Sequence, residues 1–279
     1  MNLIYRTMKN TILLGVLVLA ISSCDKLSRP ALGDYPKDTN PPGGPLKFYA
    51  AMDGGNVDSI KANFGLDNDV SYVSGGVSGE ALQPDGSKNG YVAYPSANDF
   101  ASSTNFTISF WLNIKLAQKD NVNADGVLSL ASTSNFWGNF TFYADHTTGG
   151  NSDSMDLKIH FANGSGDNWD FAGYTGNKRW PKMYDGQWHH VVFVYDAGAK
   201  TGTLYRDGVQ FDQKTNETIA FDGKASQLIV AGFQQAAGVV DTYANNSWMS
   251  GFPGMIDQVR LYGEALAPAD VAALYASKQ

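Results

Sequence analysis

The chain has 279 residues, a formal net charge of −7 and a pI near 5.0. That acidic balance excludes the electrostatic footprint of a nucleic-acid binder, and a single cysteine excludes an internal disulfide scaffold. With 43% hydrophobic residues, the chain is long enough to bury a sizeable core without disulfides.

At the N-terminus, Arg6 and Lys9 precede an apolar run from Thr11 to Ile21 that is too short to span a bilayer. The run ends in LAISSC, which resembles the bacterial lipoprotein signal, with small residues before Cys24. The resemblance implies that residues 1–23 are a removed signal peptide and that the Cys24 thiol is lipidated. It places the mature protein in the cell envelope, attached to the outer membrane through a lipid anchor. Loss of Arg6 and Lys9 takes the formal charge from −7 to −9. Residues 24–45 are rich in Pro, Gly, Asp and Lys with almost no apolar pattern, as in an extended, hydrated tether. Residues 46–279 contain no second linker and no repeat, so a single domain is expected there.

Within that domain the segments PLKFYAAMDGG, GEALQPDGSKNGYVAYP and NFTISFWLNI read as strands. Turn signals recur between such segments: Asp85-Gly86, Asp125-Gly126, Gly149-Gly150, Asp185-Gly186, Asp207-Gly208 and Asp222-Gly223. The clearest stretch is Gln187 to Val209. Trp188 to Tyr195 is β-branched or aromatic apart from two histidines, which predicts an inner strand. Thr203 to Arg206 forms the next strand, Asp207-Gly208 supplies the left-handed pair of a type I′ hairpin, and Val209 to Asp212 turns back. The one good helical pattern is Pro268 to Ser277, with Pro in the first turn and Val271, Leu274 and Tyr275 at helical spacing.

The run WHHV, a strand and then LYRDG, together with the closing GMIDQVRLY and GEALAPADVAALY, is similar to the laminin-G-like, concanavalin A-like jelly-roll family from Pro45 to Tyr275. The resemblance implies an all-β fold, an antiparallel two-sheet jelly-roll sandwich with a short C-terminal helix. Many activities share such a fold, so function must be argued from a site.

Glycosidases on this sandwich need two carboxylates facing the scissile bond. The chain has three glutamates, Glu80, Glu217 and Glu264, no two on one strand face, and it lacks the ExDxxE strand motif. Asp167 and Asp170 lie in an Asp- and Asn-rich segment that reads as solvated surface. No catalytic residue is assigned. His189 and His190 are strand neighbours and point to opposite faces, so they do not share a metal. One is expected to be hydrogen-bonded within the sandwich and the other to lie on its outer face, and His146 and His160 have no evident partners in sequence.

The family resemblance implies a structural calcium where the first strand's loop meets the closing strand, with Asp53, Asn56, Asp58 and Asp257 as oxygen ligands. Capping of turns by the same carboxylates is the competing reading. Sugar binding needs flat aromatic faces beside amides and carboxylates. Trp137, Trp169, Trp248 and Tyr243 sit among Asn, Asp, Ser and Gly and form the expected ligand-binding set. Trp111 and Trp188, in apolar strands, are expected in the core, and Trp180, in the polar run GNKRWP before a proline, is open to either a surface or a packed reading. The resulting expectation is a non-enzymatic lipoprotein domain that captures a polysaccharide or other glycan at the outer membrane, beside a transport complex. Two alternatives stay open: a protein-binding adhesion or assembly module, and a glycoside hydrolase or polysaccharide lyase.

Overall fold

The computed structural model describes residues 44–118, 123–145, 153–162, 168–169 and 179–278. In chain order the strands are β1 (Leu46–Ala50), β2 (Val57–Asp58), β3 (Asn63–Phe64), β4 (Leu66–Asn68), β5 (Val70–Ser74), β6 (Glu80–Pro84), β7 (Tyr91–Tyr94), β8 (Phe106–Asn113) and β9 (Ala124–Ser132). They continue with β10 (Phe140–Asp145), β11 (Leu157–Phe161), β12 (Asn168–Trp169), β13 (His189–Asp196), β14 (Thr201–Arg206), β15 (Val209–Thr215), β16 (Ala225–Val230), β17 (Met249–Gly251) and β18 (Met255–Tyr262). The helix α1 (Pro268–Ser277) follows.

Two sheets form the expected sandwich. The larger runs β15-β14-β13-β8-β18-β1-β2-β3, with the β5-β6 hairpin joined to β18, and the smaller runs β12-β11-β10-β9-β16-β7-β4. Pairings are antiparallel except that of β17 with β9. Between the sheets, Phe106, Ile108, Phe110 and Leu112 of β8 face Leu128, Leu130, Phe140 and Phe142 of the smaller sheet. Each such ring contributes about 1.5–3 kcal/mol by leaving water. The rings meet edge to face, as Phe110 and Phe142 do at 5.4 Å and 85°.

Every residue of β8 is buried, although alternate side chains leave the core. The outward set lies beneath the chain's closing segment. Thr107 Oγ1 donates to Glu264 O at 2.8 Å and accepts from Leu266 N at 3.0 Å. Trp111 stacks on His190 at 4.7 Å and on Tyr275 of α1 at 5.6 Å. Trp111 is therefore buried, at 2% exposure, but on the outer face under α1 rather than between the sheets. The expected core position for Trp188 does not hold. Trp188 precedes β13, is half-buried, and donates from Nε1 to Gly75 O at 2.9 Å.

The two histidines divide as expected, with one addition. His189 lies at the rim of the core face, with Nδ1 3.0 Å from Asp207 and Nε2 3.2 Å from Asp185. Burial opposes its charge, but the hydrogen bond and charge of Asp207, helped by Asp185, raise its pKa. His190 faces outward and is covered by α1, with Nε2 2.9 Å from Ser109 Oγ. Burial, with Arg260 nearby, lowers its pKa to about 3 and keeps it neutral.

The Asp207-Gly208 hairpin forms with φ of +51° and +77°. Asp125-Gly126 does not turn; both residues lie inside β9. A Cβ at Gly126 would sit 2.4 Å from Phe233 N, so the glycine permits close approach of a second backbone. Gly149-Gly150, His146, Asp167, Asp170 and Cys24 lie outside the described residues.

Candidate functional site

Along β10 and β11 the residues alternate cleanly. Phe140, Phe142 and Ala144, with Leu157, Ile159 and Phe161, enter the core. Thr141, Tyr143 and Asp145, with Lys158 and His160, project from the opposite face. There Tyr143 OH and His160 Nε2 are 2.9 Å apart. Lys158 and Asp145 form an ion pair whose side chains are only 4% and 10% exposed. Removing one partner of such a pair leaves a buried charge uncompensated.

The loop joining β9 to β10 bends back over this face and is held by its own backbone chemistry. Gly138 adopts φ +76°, and a Cβ there would lie 2.6 Å from Leu130 O. Trp137 N donates to Asn135 Oδ1 at 2.9 Å, and Thr141 Oγ1 donates to Trp137 O at 2.6 Å. Gln234 and Gln235 donate from their buried amides to Phe136 O at 2.8 and 2.7 Å. These bonds set the Trp137 indole 3.9 Å from the His160 ring at an interplanar angle of 8°, with Tyr143 5.8 Å away.

A second loop brings Trp248 to the same place. Asp241 accepts from Asn245 Nδ2 and Asn246 Nδ2 at 2.8 and 3.0 Å, which fixes the short turn Tyr243–Asn245. Those bonds lower the Asp241 pKa. Ala124 N then donates to Trp248 O at 2.8 Å, anchoring the strand-like entry into β17. Trp248 is 37% exposed, and its ring lies 5.6 Å from Trp137 at 55° and 6.1 Å from Phe233. The arrangement is an aromatic shelf on which Trp248 is the exposed ring, with Asn135 bonded to the Trp137 backbone and the Asp241–Asn246 turn leading to Trp248.

Trp137 and Trp248 are thus brought together. Tyr243 joins the cluster differently: its hydroxyl accepts from Phe233 N at 3.1 Å and donates to Ser250 O at 3.3 Å, so it pins the shelf from below. Burial raises its pKa. For Trp169 the described feature is backbone register, with Trp169 opposite Ile159 and Asn168 opposite His160. Trp180, open to either reading from sequence, is packed: it is fully buried and 4.7 Å from Phe211. The partners that sequence reading missed are His160, Tyr143 and Phe233. Their signal was the alternation in FTFYAD and LKIHF, which puts Tyr143, Lys158 and His160 on one outward face.

The four expected calcium ligands separate into two places. Asp58 caps a turn, accepting from Tyr49 N, Ile60 N and Asn98 Nδ2. Asn56 clasps Gly65 through both its amide atoms. Asp53 and Asp257 instead share the loop of residues 75–80. Asp53 Oδ1 accepts from Glu80 N at 2.8 Å, and Asp257 Oδ2 accepts from Val77 N at 2.7 Å. Asp257 is fully buried, and desolvation together with the Asp53 charge pushes its pKa up to about 7 against three backbone hydrogen bonds. Arg260 lies over the Tyr49 ring at 4.1 Å and donates to Gln258 Oε1 at 2.8 Å. Among the described residues, no group of three or more His, Cys, Asp or Glu side chains is arranged to hold a metal. Asp53 and Asp257 thus both accept backbone N–H groups of the 77–80 segment, whereas Asn56 and Asp58 hold other turns.

Comparison with solved structures finds the same fold at low identity. Domain 4 of an extracellular arabinanase from Geobacillus stearothermophilus, in complex with arabinotriose, is 19% identical with a TM-score of 0.56, covering 83% of this chain and 98% of that one. The binding domain of Paraclostridial Mosquitocidal Protein 1 is 16% identical with a TM-score of 0.60, and the match covers 84% of this chain and 52% of that one. A Trypanosoma rangeli sialidase in complex with a difluorinated sialic-acid-type ligand is 14% identical with a TM-score of 0.56, covering 86% of this chain and 35% of that one. The chain therefore spans about half of the toxin's binding domain and about a third of the sialidase. A search of curated proteins finds no match. Residues 85–272, from the β6-β7 turn through the first half of the closing helix, match the model of the laminin-G type described as the concanavalin A-like lectin/glucanases superfamily, and the chain belongs to that family.

Proposed function

We propose that this domain binds carbohydrate on the outer face of the smaller sheet, with Trp137 and Trp248 as the stacking residues. The observation that carries the reading is their meeting at 5.6 Å on two loops, each braced by its own asparagine hydrogen bonds. An indole face takes the apolar side of a pyranose, and the surrounding Asn and Ser groups take its hydroxyls. The arabinotriose-bound neighbour supports a carbohydrate ligand on this fold. No catalytic step is assigned. A glycan array followed by chain-length analysis of the best ligand tests both parts. A saturable polysaccharide hit with unchanged chain length is expected. No hit would defeat the binding role, and shortened chains would defeat the non-enzymatic one.

The same proposal places the domain in the cell envelope, lipidated at Cys24 and serving glycan capture at the outer membrane beside a transport complex. Support for the anchor comes from the LAISSC context and the polar tether that follows. In cells grown with labelled palmitate, Cys24→Ala should remove the label and release or misprocess the protein. An unlabelled wild type, or a variant that stays membrane-bound with unchanged mobility, contradicts the anchor.

A calcium ion held by Asp53 and Asp257 belongs to this reading as a structural group, neutralising two crowded carboxylates. The folded pKa of Asp257 is raised to about 7 from an ordinary 3.8. Its contribution to stability is therefore fully present below pH ~4 and is lost as pH rises through ~7. Without calcium the melting temperature should fall across that window, and Asp257→Asn should flatten the fall. Calcium at pH 7.5 should raise the wild-type melting temperature by mass action. Identical melting curves in EDTA and calcium remove the ion from the proposal.

A further inference from the structure

Apart from the aromatic shelf, an open cavity of about 370 Å³ lies at one end of the sandwich. It is bounded by the loop before β8, the turn after β13 and the segment between β15 and β16. Its floor is apolar and well supported. Phe221 packs against Phe100 and Phe106 with centroids 5.4 and 5.1 Å apart. Beside it, Ile219 is held in place because its N donates to Tyr195 OH at 3.0 Å, while that hydroxyl donates to Glu217 O at 3.3 Å. The rim is polar, with Ser102, Thr104 and Thr218, and it carries one charged residue, Lys200.

Lys200 is exposed and ends the turn after β13. Its backbone has φ +53°, a left-handed conformation that costs a non-glycine residue about 1 kcal/mol or more. Its carbonyl accepts from Glu217 N at 3.0 Å, which glycine or asparagine would do equally well and with less strain. Among the described residues its ammonium has no ion-pair partner. The ammonium is therefore free to meet a ligand at the cavity rim.

An apolar floor, a hydroxyl rim and one uncompensated cation match a ring that has an apolar face, several hydroxyls and a carboxylate. The volume is at the small end of ligand pockets, about right for a single sugar unit. We propose that this cavity binds one carboxylated sugar residue of the hexuronic acid type, with Lys200 taking the carboxylate. The Ser and Thr groups hydrogen-bond the sugar hydroxyls, and Phe221 and Ile219 underlie its apolar face. The site does not rest on the Trp137 and Trp248 reading.

Calorimetric and saturation-transfer titrations of the whole chain with D-glucuronate, D-glucose and acetate test it. Glucuronate is expected to bind at low salt and to weaken as salt rises, with glucose lacking the charge and acetate lacking the ring, each at least tenfold weaker. Lys200→Gly should lose about tenfold or more, the loss expected for one charge-assisted contact, with an unchanged or higher melting temperature. Lys200→Gln, which keeps the backbone cost, should lose as much, and Lys200→Arg should retain binding. Trp137→Ala should leave glucuronate affinity unaltered. The proposal is overturned by absent glucuronate binding in the wild type, by equal affinity in Lys200→Gly, by glucose or acetate matching glucuronate, or by loss of glucuronate binding in Trp137→Ala.

Discussion

Replacing Trp137 and Trp248 together with alanine should weaken polysaccharide binding by about thirtyfold while the domain stays folded. Each ring contributes about 1 kcal/mol through stacking and partial burial, so single replacements should weaken binding several-fold and the double replacement about thirtyfold. The two single variants differ in their side effects. Trp248 is 37% exposed and its removal should barely move the melting temperature. Trp137 lies flat on His160 at 3.9 Å, so its removal uncovers that histidine and should also cost about 1 kcal/mol of stability. Calorimetric titration reads the effect in all variants, because it does not depend on the tryptophans being removed. Equal affinities in the wild type and all three variants would move the ligand site elsewhere.

Trp111→Ala should destabilise the domain by about 3–5 kcal/mol, the range for losing a buried large aromatic. The loss is expected at an outer face because α1 turns that face into a second small core, in which Val192, Val194, Tyr205 and Val271 pack together. Without the indole, His190 and Tyr275 lose their stacking partner, and α1 has less to hold it against the sheet. Proteolysis should then clip the C-terminal helix well below the global melting temperature. Tyr275→Ala should cost less, because Tyr275 is 38% exposed. A Trp111→Ala protein that melts like the wild type and keeps α1 protected contradicts this account of the C-terminal segment.

The sandwich was legible in the chain because its signals are local. β-branched and aromatic runs specify strands, Asp207-Gly208 accepts the two left-handed conformations a tight hairpin needs, and Pro268 with Val271 marks the start and buried side of α1. Faces were harder to read. β8 alternates Phe106, Ile108, Phe110 and Leu112 with Thr107, Ser109 and Asn113, which puts Trp111 on the polar side, and only the packing of α1 on the larger sheet explains why that side is buried. Asp125-Gly126 has turn chemistry, yet it lies in a strand because Phe233 presses on it from a distant segment. At the candidate site, aromatic residues in polar loops marked Trp137 and Trp248 from sequence alone. Their meeting, the His160 ring beneath Trp137, and the separation of Asp58 from Asp257 depend on loop closure and strand register, which are long-range properties. The chain alone determined which segments become strands and which side chains can bind a sugar; tertiary packing decided which of them share a surface, because contacts between distant segments leave no periodicity in the sequence.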